Sequence, residues 1–385
     1  MGKWEMVRLG DVGTIVTGST PPKKETIFYD SDDIPFFKPN DFSEDTIEKL
    51  TIPNEYVSEK ARKKIRLLPV GSVLVTCIGT IGKVGIATCE STCNQQINAI
   101  IPHDKVIVSE YLANVVLTRR AYLKQIANAP VVPIINKSNF SEVLIPLPPL
   151  DEQKRIAKNL DLASEIVKGY KEQLTELDKL VQSVFYEMFG DPVINEKGWE
   201  IQSLQSVCDV RDGTHDSPTY VRDGYPLVTS KNVKQGYIDF STANLISSED
   251  LMKINQRSKV DNGDIIMPMI GTIGNPVIVN VNQEFAVKNV AIIKFADSIM
   301  CNTFIKTLLS SSFFENAIQK VNRGGTQKFI ALGDIRKLPI PIPPPDTQTR
   351  FTNIVIEIEA QKAQIKQALT EAENLFNSLM QEYFE

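Results

Sequence analysis

Ile145-Pro-Leu-Pro-Pro-Leu-Asp-Glu-Gln-Lys-Arg-Ile-Ala157 opens a run that continues to Phe189, and the reading of that run decides the fold. From Ile156 its apolar residues fall at Leu160, Ala163, Val167, Tyr170, Leu174, Leu177, Val181, Val184 and Met188, in alternating steps of four and three. That spacing is a heptad seam, the pattern of a long helix that pairs with another. Adding 195 to each number gives Phe351, Val355, Ile358, Lys362, Ile365, Leu369, Ala372, Phe376, Leu379 and Tyr383, the same seam with one lysine in it. This second run, Pro345 to Phe384, has its own proline-rich lead-in, Ile340-Pro-Ile-Pro-Pro-Pro-Asp-Thr-Gln348. Proline suits an extended entry that ends at a helix's first turn, and Gly190-Asp-Pro192 closes the first run with a helix-stop signal. Tyr170, Phe185, Phe376 and Tyr383 read as core of the helical pair, and Lys362 as a register device, since a polar core residue costs stability but fixes alignment.

Outward from the helices, the sequence is written twice. Trp4-Glu-x-x-x-Leu9-x-x-Val12 recurs as Trp199-Glu-x-x-x-Leu204-x-x-Val207, and Gly18 recurs as Gly213, at the same offset of 195. Gly71-Ser-Val-Leu-Val-Thr-Cys-Ile-Gly-Thr-Ile-Gly82 matches Gly263-Asp-Ile-Ile-Met-Pro-Met-Ile-Gly-Thr-Ile-Gly274 at 192, and Gln96 to Ile101 aligns with Lys288 to Ile293 at the same offset. A repeat this long is a duplicated domain with its helix, not a solenoid unit. Each globular half reads as α+β. A short amphipathic segment (Val7 to Val12; Leu204 to Val207) precedes strand-like runs at 73–78, 83–87 and 97–101, then 265–270, 276–281 and 290–293. One helix follows in each half, near Ser109 to Ala127 and Thr303 to Val321. Equal helices after equal globes are expected to lie together, antiparallel, about a pseudo-twofold axis.

At 385 residues and 42% hydrophobic content the chain has room for two or three cores, and no apolar run approaches a membrane span. With no signal-peptide-like stretch behind Met1, a cytoplasmic location is expected. Five cysteines in odd number, of which only Cys89 and Cys93 are close, with two histidines, read as buried or half-buried thiols and not as a disulfide framework or a metal site. The net charge of −5 is concentrated in the two helical runs, which carry −6 between them and leave +1 for the rest. A near-neutral remainder permits local basic faces without itself indicating nucleic acid. There is no Walker A, no GxGxxG and no Asn-Pro-Pro-Tyr-type amino-methyltransferase motif, so the chain reads as a recognition protein that borrows its chemistry.

The doubled Trp-Glu-x-x-x-Leu, the doubled Gly-Thr-Ile-Gly, the lead-in at 145–157 and the heptad helix after it together make the chain resemble the specificity subunit of type I restriction-modification systems. The resemblance implies an α+β fold of two similar target-recognition domains, residues 1–148 and 191–343, separated by spacer helices at 149–190 and 344–385 that form an antiparallel coiled coil. It implies that each globe reads one half of an asymmetric bipartite site in double-stranded DNA. The coiled coil then sets the gap and docks two methyltransferase subunits, which restriction-translocation subunits join. No catalytic group, metal or cofactor is expected in this chain; S-adenosylmethionine, ATP and Mg2+ are implied for the partner subunits. The second lead-in departs from the first, with Asp346-Thr-Gln-Thr-Arg350 where the first has Asp151-Glu-Gln-Lys-Arg155. A helix of about 38 residues spans about 57 Å at ~1.5 Å per residue, or on the order of 17 base pairs. A coiled-coil adaptor with two protein-binding domains is the alternative, and it predicts no DNA binding.

Candidate DNA contacts follow from side-chain chemistry. Asn322-Arg323-Gly324-Gly325-Thr326-Gln327-Lys328 combines a glycine pair with an arginine that forks onto guanine, a glutamine that pairs with adenine and a lysine for phosphate. The matching loops hold Thr17, Ser19, Thr20, Lys23 and Lys24 in one half and Arg211, Thr214 and His215 in the other, residue types that also simply make turns. Thr80, Lys83, Thr272 and Asn275 flank the Gly-Thr-Ile-Gly turns, whose glycines either admit a phosphate closely or only turn the chain between core strands. Lys38, Asn40, Gln96, Ser230, Lys231, Asn232 and Lys288 complete the set.

Overall fold

The computed structural model describes residues 4–44, 46–127, 132–271, 273–321 and 329–384. They form two units, Met1–Lys171 with Gln367–Glu385 and Glu172–Lys366, so each long helix is divided between them. The helices run over Leu150–Phe189 and Pro345–Phe384, the bounds the heptad pattern and proline lead-ins predict. None of the described helices is long and apolar enough to cross a membrane.

In the first unit a five-stranded sheet runs in the order Gly13–Thr17, Ile97–Pro102, Val73–Thr76, Val84–Ala87, Glu48–Leu50. All its pairs are antiparallel except the last. Strand residues alternate between faces. Val73 and Val75 accordingly face a core shared with Tyr111, Leu112 and Val115 of the helix Ser109–Thr118, while Leu74 enters a second core with Phe37 and Phe42. The second unit repeats the plan with a four-stranded sheet, Asp209–Asp212, Val290–Lys294, Ile265–Pro268, Val277–Ile278, in which Ile265 and Met267 face one core and Ile266 another. The register corrects one alignment. Asn98 lies opposite Thr17 and Ala291 opposite Asp212, so the repeat offset in these strands is 193 and Gln96 is not the counterpart of Lys288.

Each single helix expected after the sheet is two. Ser109–Thr118 gives way to Arg120–Ile126, and Asn302–Leu309 to Ser312–Val321. At the breaks Thr118, Ser310 and Ser311 turn their hydroxyls back onto the carbonyls of Val115, Lys306 and Leu308, the local competition by which such residues interrupt a helix.

Within each unit the start of one long helix packs beside the end of the other. In the first, Ile156, Ala157 and Leu160 share a core with Phe384, which meets Tyr111 at 5.6 Å between ring centroids. Asn159 donates to the Tyr383 hydroxyl at 3.0 Å, and Lys171 pairs with Glu373 at 2.9 Å, an antiparallel sequence of contacts. In the second, Phe185 and Phe189 enclose Phe351 and Phe304 at centroid distances of 4.7 to 5.7 Å. These two phenylalanines are fully buried where the seam points to Val184 and Met188, which are only partly so, because the last helical turns face the globe as well as the other helix. Lys362 lies in the seam as expected, bonded to Asp178 at 2.7 Å and Glu359 at 2.8 Å. Burial works to lower its pKa, but the two carboxylates outweigh it and the net direction is up.

A buried glutamine pins each helix start. Gln153 accepts from the Val108 amide at 2.9 Å and donates to the carbonyls of Val106 (3.0 Å) and Pro148 (2.9 Å). Gln348, its counterpart, accepts from the Cys301 amide at 2.7 Å and donates to the Pro343 carbonyl at 2.8 Å. Val108 and Cys301 are the N-caps of the first helix after each sheet, so one side chain satisfies an otherwise orphaned helix-end amide and ties three segments together.

Candidate nucleic-acid interface

In both units the first long strand ends in a glycine that lets two loops touch. Gly18 donates to the Ile97 carbonyl at 3.0 Å and Ser19 to Cys93 at 2.9 Å; in the second unit Gly213 donates to Val290 and Thr214 to Val287, both at 2.9 Å. A Cβ on Gly213 would lie 2.6 Å from the Val287 carbonyl oxygen, and one on Gly18 would run into the Cys93 and Asn94 carbonyls. Glycine is therefore required for close approach.

The first unit's loop pair presents Thr20, whose hydroxyl donates to exposed Gln95 at 2.6 Å, and Thr17, whose hydroxyl donates to Asn98 at 2.7 Å. Gln96 receives a bond from the Asn94 amide group at 2.9 Å, and Lys23 and Lys24 stand exposed further along. The second unit's pair is more ionic. His215 meets Asn289 Oδ1 through Nδ1 and Asp212 Oδ2 through Nε2, each at 2.9 Å, and Lys288 donates to Ser217 at 2.5 Å. The bond to Asn289, and then that to Asp212, hold the His215 pKa above the usual imidazole value. Arg211 pairs with Asp209 at 2.6 Å, and Ser230 donates to the Asn289 carbonyl at 3.4 Å beside exposed Lys231.

Several other candidates sit elsewhere or point inward. Asn232 is 3% exposed, and its amide is spent on Thr229, Asp239 and Thr242, so it braces a turn and does not face a ligand. Lys83, with a 12% exposed side chain, is paired with Glu44 at 2.9 Å and donates to the Phe42 carbonyl, which leaves its ammonium engaged inside the fold. Lys38 is ion-paired with Glu55 and lies over the Phe36 ring, whereas Asn40 and Thr80 are exposed and Asn275 half-buried. In the turn at 79–82, Gly79 donates to Pro133 and Gly82 to Thr76, and both have φ near +80° (78° and 82°). Those two glycines turn the chain and spend their amides within the fold. Thr272 and the segment Asn322-Arg323-Gly324-Gly325-Thr326-Gln327-Lys328 lie outside the described residues; the flank of the latter, Phe329, bridges to Ile270.

Sequence reasoning passed over two arginines. Arg66 is exposed and donates to the Thr17 carbonyl; Arg257 donates to Asp212 at 2.8 Å. Both reach the tip of the first long strand in their unit, and the charged stretch around Arg66, Lys60-Ala-Arg-Lys-Lys-Ile-Arg66, was the available signal. Three of the five thiols, Cys77, Cys93 and Cys208, are buried packing groups. Burial pushes Cys77 and Cys93 up to about 12 and Cys208 up to about 11.

Comparison with known proteins sets these features in context. The family described as type I restriction modification DNA specificity domain matches residues 1–176 and again 196–374. Over 91% of this chain and 86% of the relative, the sequence is 29% identical to the type I restriction enzyme MjaIX specificity subunit of Methanocaldococcus jannaschii. It is 22% identical to the EcoKI specificity subunit of Escherichia coli, covering 99% of this chain and 88% of that one. The fold is similar to the crystal structure of the S subunit from M. genitalium, with a TM-score of 0.60 at 13% identity over 100% of this chain and 96% of that chain.

Proposed function

Because the chain belongs to the type I restriction modification DNA specificity family, we propose that its two units read the two different halves of one bipartite DNA target. It is a specificity subunit, and the observation that carries the finer reading is the doubled loop pair. One scaffold, repeated, presents Thr20, Gln95 and Gln96 in the first unit and His215, Asn289 and Lys288 in the second. Side chains of these types form base-edge and phosphate contacts, and two different sets on one scaffold read two different sequences.

The 40-residue helices act as the spacer that leaves a stretch of DNA unread, and as the surface on which two methyltransferase subunits dock. Methylation of adenine with S-adenosylmethionine, and any ATP- and Mg2+-dependent cleavage, belong to those partners and to restriction-translocation subunits. The complex works in the cytoplasm. Selection from a randomised duplex pool, with the methyltransferase partner present, tests the proposal. Recovery of two unlike half-sites separated by a constant unread gap supports it; recovery of a single contiguous palindrome, or of no preferred sequence, overturns it.

A further inference from the structure

Arg66 and Arg257 each send a guanidinium to the end of the first long strand in their unit. Arg66 lies five residues before Gly71 and Arg257 six before Gly263, the glycines that open the matching strands. Their surroundings have diverged: Arg66 ends a short basic helical stretch, Glu59–Lys64, with Ile65 between, whereas Arg257 sits in the last turn of the helix Ser248–Ser258. The repeat pairs Arg66 with Ser258, 192 residues on, whose hydroxyl donates to the Asp212 carbonyl as Arg66 does to that of Thr17; Arg257, next to Ser258, reaches the same strand end through the Asp212 side chain. Arg66 donates to the carbonyl of Thr17 and Arg257 to the carboxylate of Asp212, and these two acceptors are equivalent residues, 195 apart, at the tip of the first long strand. Each arginine's own carbonyl is fixed as well, by Thr92 at 2.9 Å in one unit and by Arg211 at 3.2 Å in the other.

A guanidinium that served only as an internal brace would be expected inside the fold. Arg257 is instead 77% exposed while the Asp212 side chain that holds it is 11% exposed. The arrangement is a buried carboxylate orienting an open, planar donor, with one of five N–H groups used for the tether. His215, on the other Asp212 oxygen, and Asn289 lie beside it. In the first unit exposed Arg66 is bonded at Thr17, three residues before Thr20, whose hydroxyl donates to Gln95 of the facing loop.

We propose that Arg66 and Arg257 are base readers, each forking onto a guanine in the half-site read by its own unit, with Asp212 as the positioning residue for Arg257. This rests on the DNA-reading assignment above. A tethered planar fork matches the bidentate O6/N7 edge of guanine, and because phosphate also accepts a fork, what marks a base contact is that it confers sequence preference. Each selected half-site should therefore contain a G·C pair.

The test uses the full chain with its methyltransferase partner and a randomised duplex pool, for the unaltered protein and for Arg66→Ala, Arg257→Ala and Arg257→Lys. The expected result is loss of preference, about 10- to 100-fold, at one G·C position in one half-site per arginine, with the other half-site unchanged. Arg257→Lys keeps the charge and the dependence of affinity on salt but loses the discrimination, which separates base reading from a charge contact or a folding defect. A uniform loss over all sequences with a smaller salt slope, unchanged selection by the variants, or a half-site without G·C overturns the proposal while leaving bipartite reading intact. Failure of the unaltered complex to select any DNA overturns the underlying reading instead.

Discussion

Gln153→Leu isolates what holds a long helix to its globe. The substitution keeps the volume of a side chain with no solvent exposure but deletes the bond to the Val108 amide and the two bonds to the Val106 and Pro148 carbonyls. At about 1 kcal/mol net per bond the loss is about 3 kcal/mol, rising toward ~5 kcal/mol if the three abandoned backbone groups stay dry. For a unit of this size about 1 kcal/mol moves the midpoint by roughly 2–4 °C, so the first unit should melt about 6–12 °C lower. Gln348→Leu deletes two nitrogen–oxygen bonds and should cost the second unit about 2 kcal/mol. Amide hydrogen exchange read by peptide locates each effect. Gln153→Leu should deprotect the helix Ser109–Thr118 and leave Asn302–Leu309 unchanged, and Gln348→Leu should do the reverse. A Gln153→Leu protein within about 0.5 kcal/mol of the parent in urea unfolding, or with unaltered protection at Val108, would refute the reasoning.

Other expectations follow from single side chains. Both His215 ring nitrogens face oxygen acceptors, so only the doubly protonated ring donates to both. Its raised pKa means that this contribution is complete below about 6.5 and is lost as pH rises through the raised value; DNA affinity should fall over the same window in the parent and stay flat in His215→Gln. Lys362→Leu should leave the second unit's stability in urea unchanged or higher, because an apolar residue suits the seam, whereas replacing both Asp178 and Glu359 by alanine strands an ammonium that is 11% exposed and should cost about 1–3 kcal/mol. A fall with Lys362→Leu would show that the ion pair itself stabilises the helices. Inserting four residues in the helix between 160 and 180 should widen the unread gap by about one to two base pairs with both half-sites retained, a shift that the disturbed heptad reduces. An unchanged gap would remove the helix as spacer.

The long helices were legible because ten seam positions in each, all apolar but Lys362, keep a three-four rhythm and the proline lead-ins mark where each begins. The duplicated glycine turns likewise announced the paired sheets. What stayed hidden depends on contacts made only in three dimensions. Strands as short as Tyr56–Val57 or Ala286–Val287 carry no periodicity, and the break at Ser310 is set by hydroxyls folding back on a helix that composition alone continues. At the candidate interface the polar loops could be named from residue type, but not which side chains turn inward. Lys83 belongs to the fold because Glu44, far from it in sequence, lies beside it, and Asn232 because the turn folds Thr229, Asp239 and Thr242 around it. Arg66 and Arg257 escaped notice because the repeat does not pair them: the residue 192 after Arg66 is Ser258.

The division of the two cores also orders events during synthesis. The second unit is a continuous stretch, Glu172–Lys366, and has every residue of its core once the ribosome has passed Ile358. The core of the first unit runs in sequence from Leu9 to Phe384. Translated first, it is completed last: Ile156 and Leu160 await partners made after the whole of the second unit. Nascent chains therefore carry an uncovered apolar edge on the older unit throughout synthesis of the younger one, whose core is the first to be fully made.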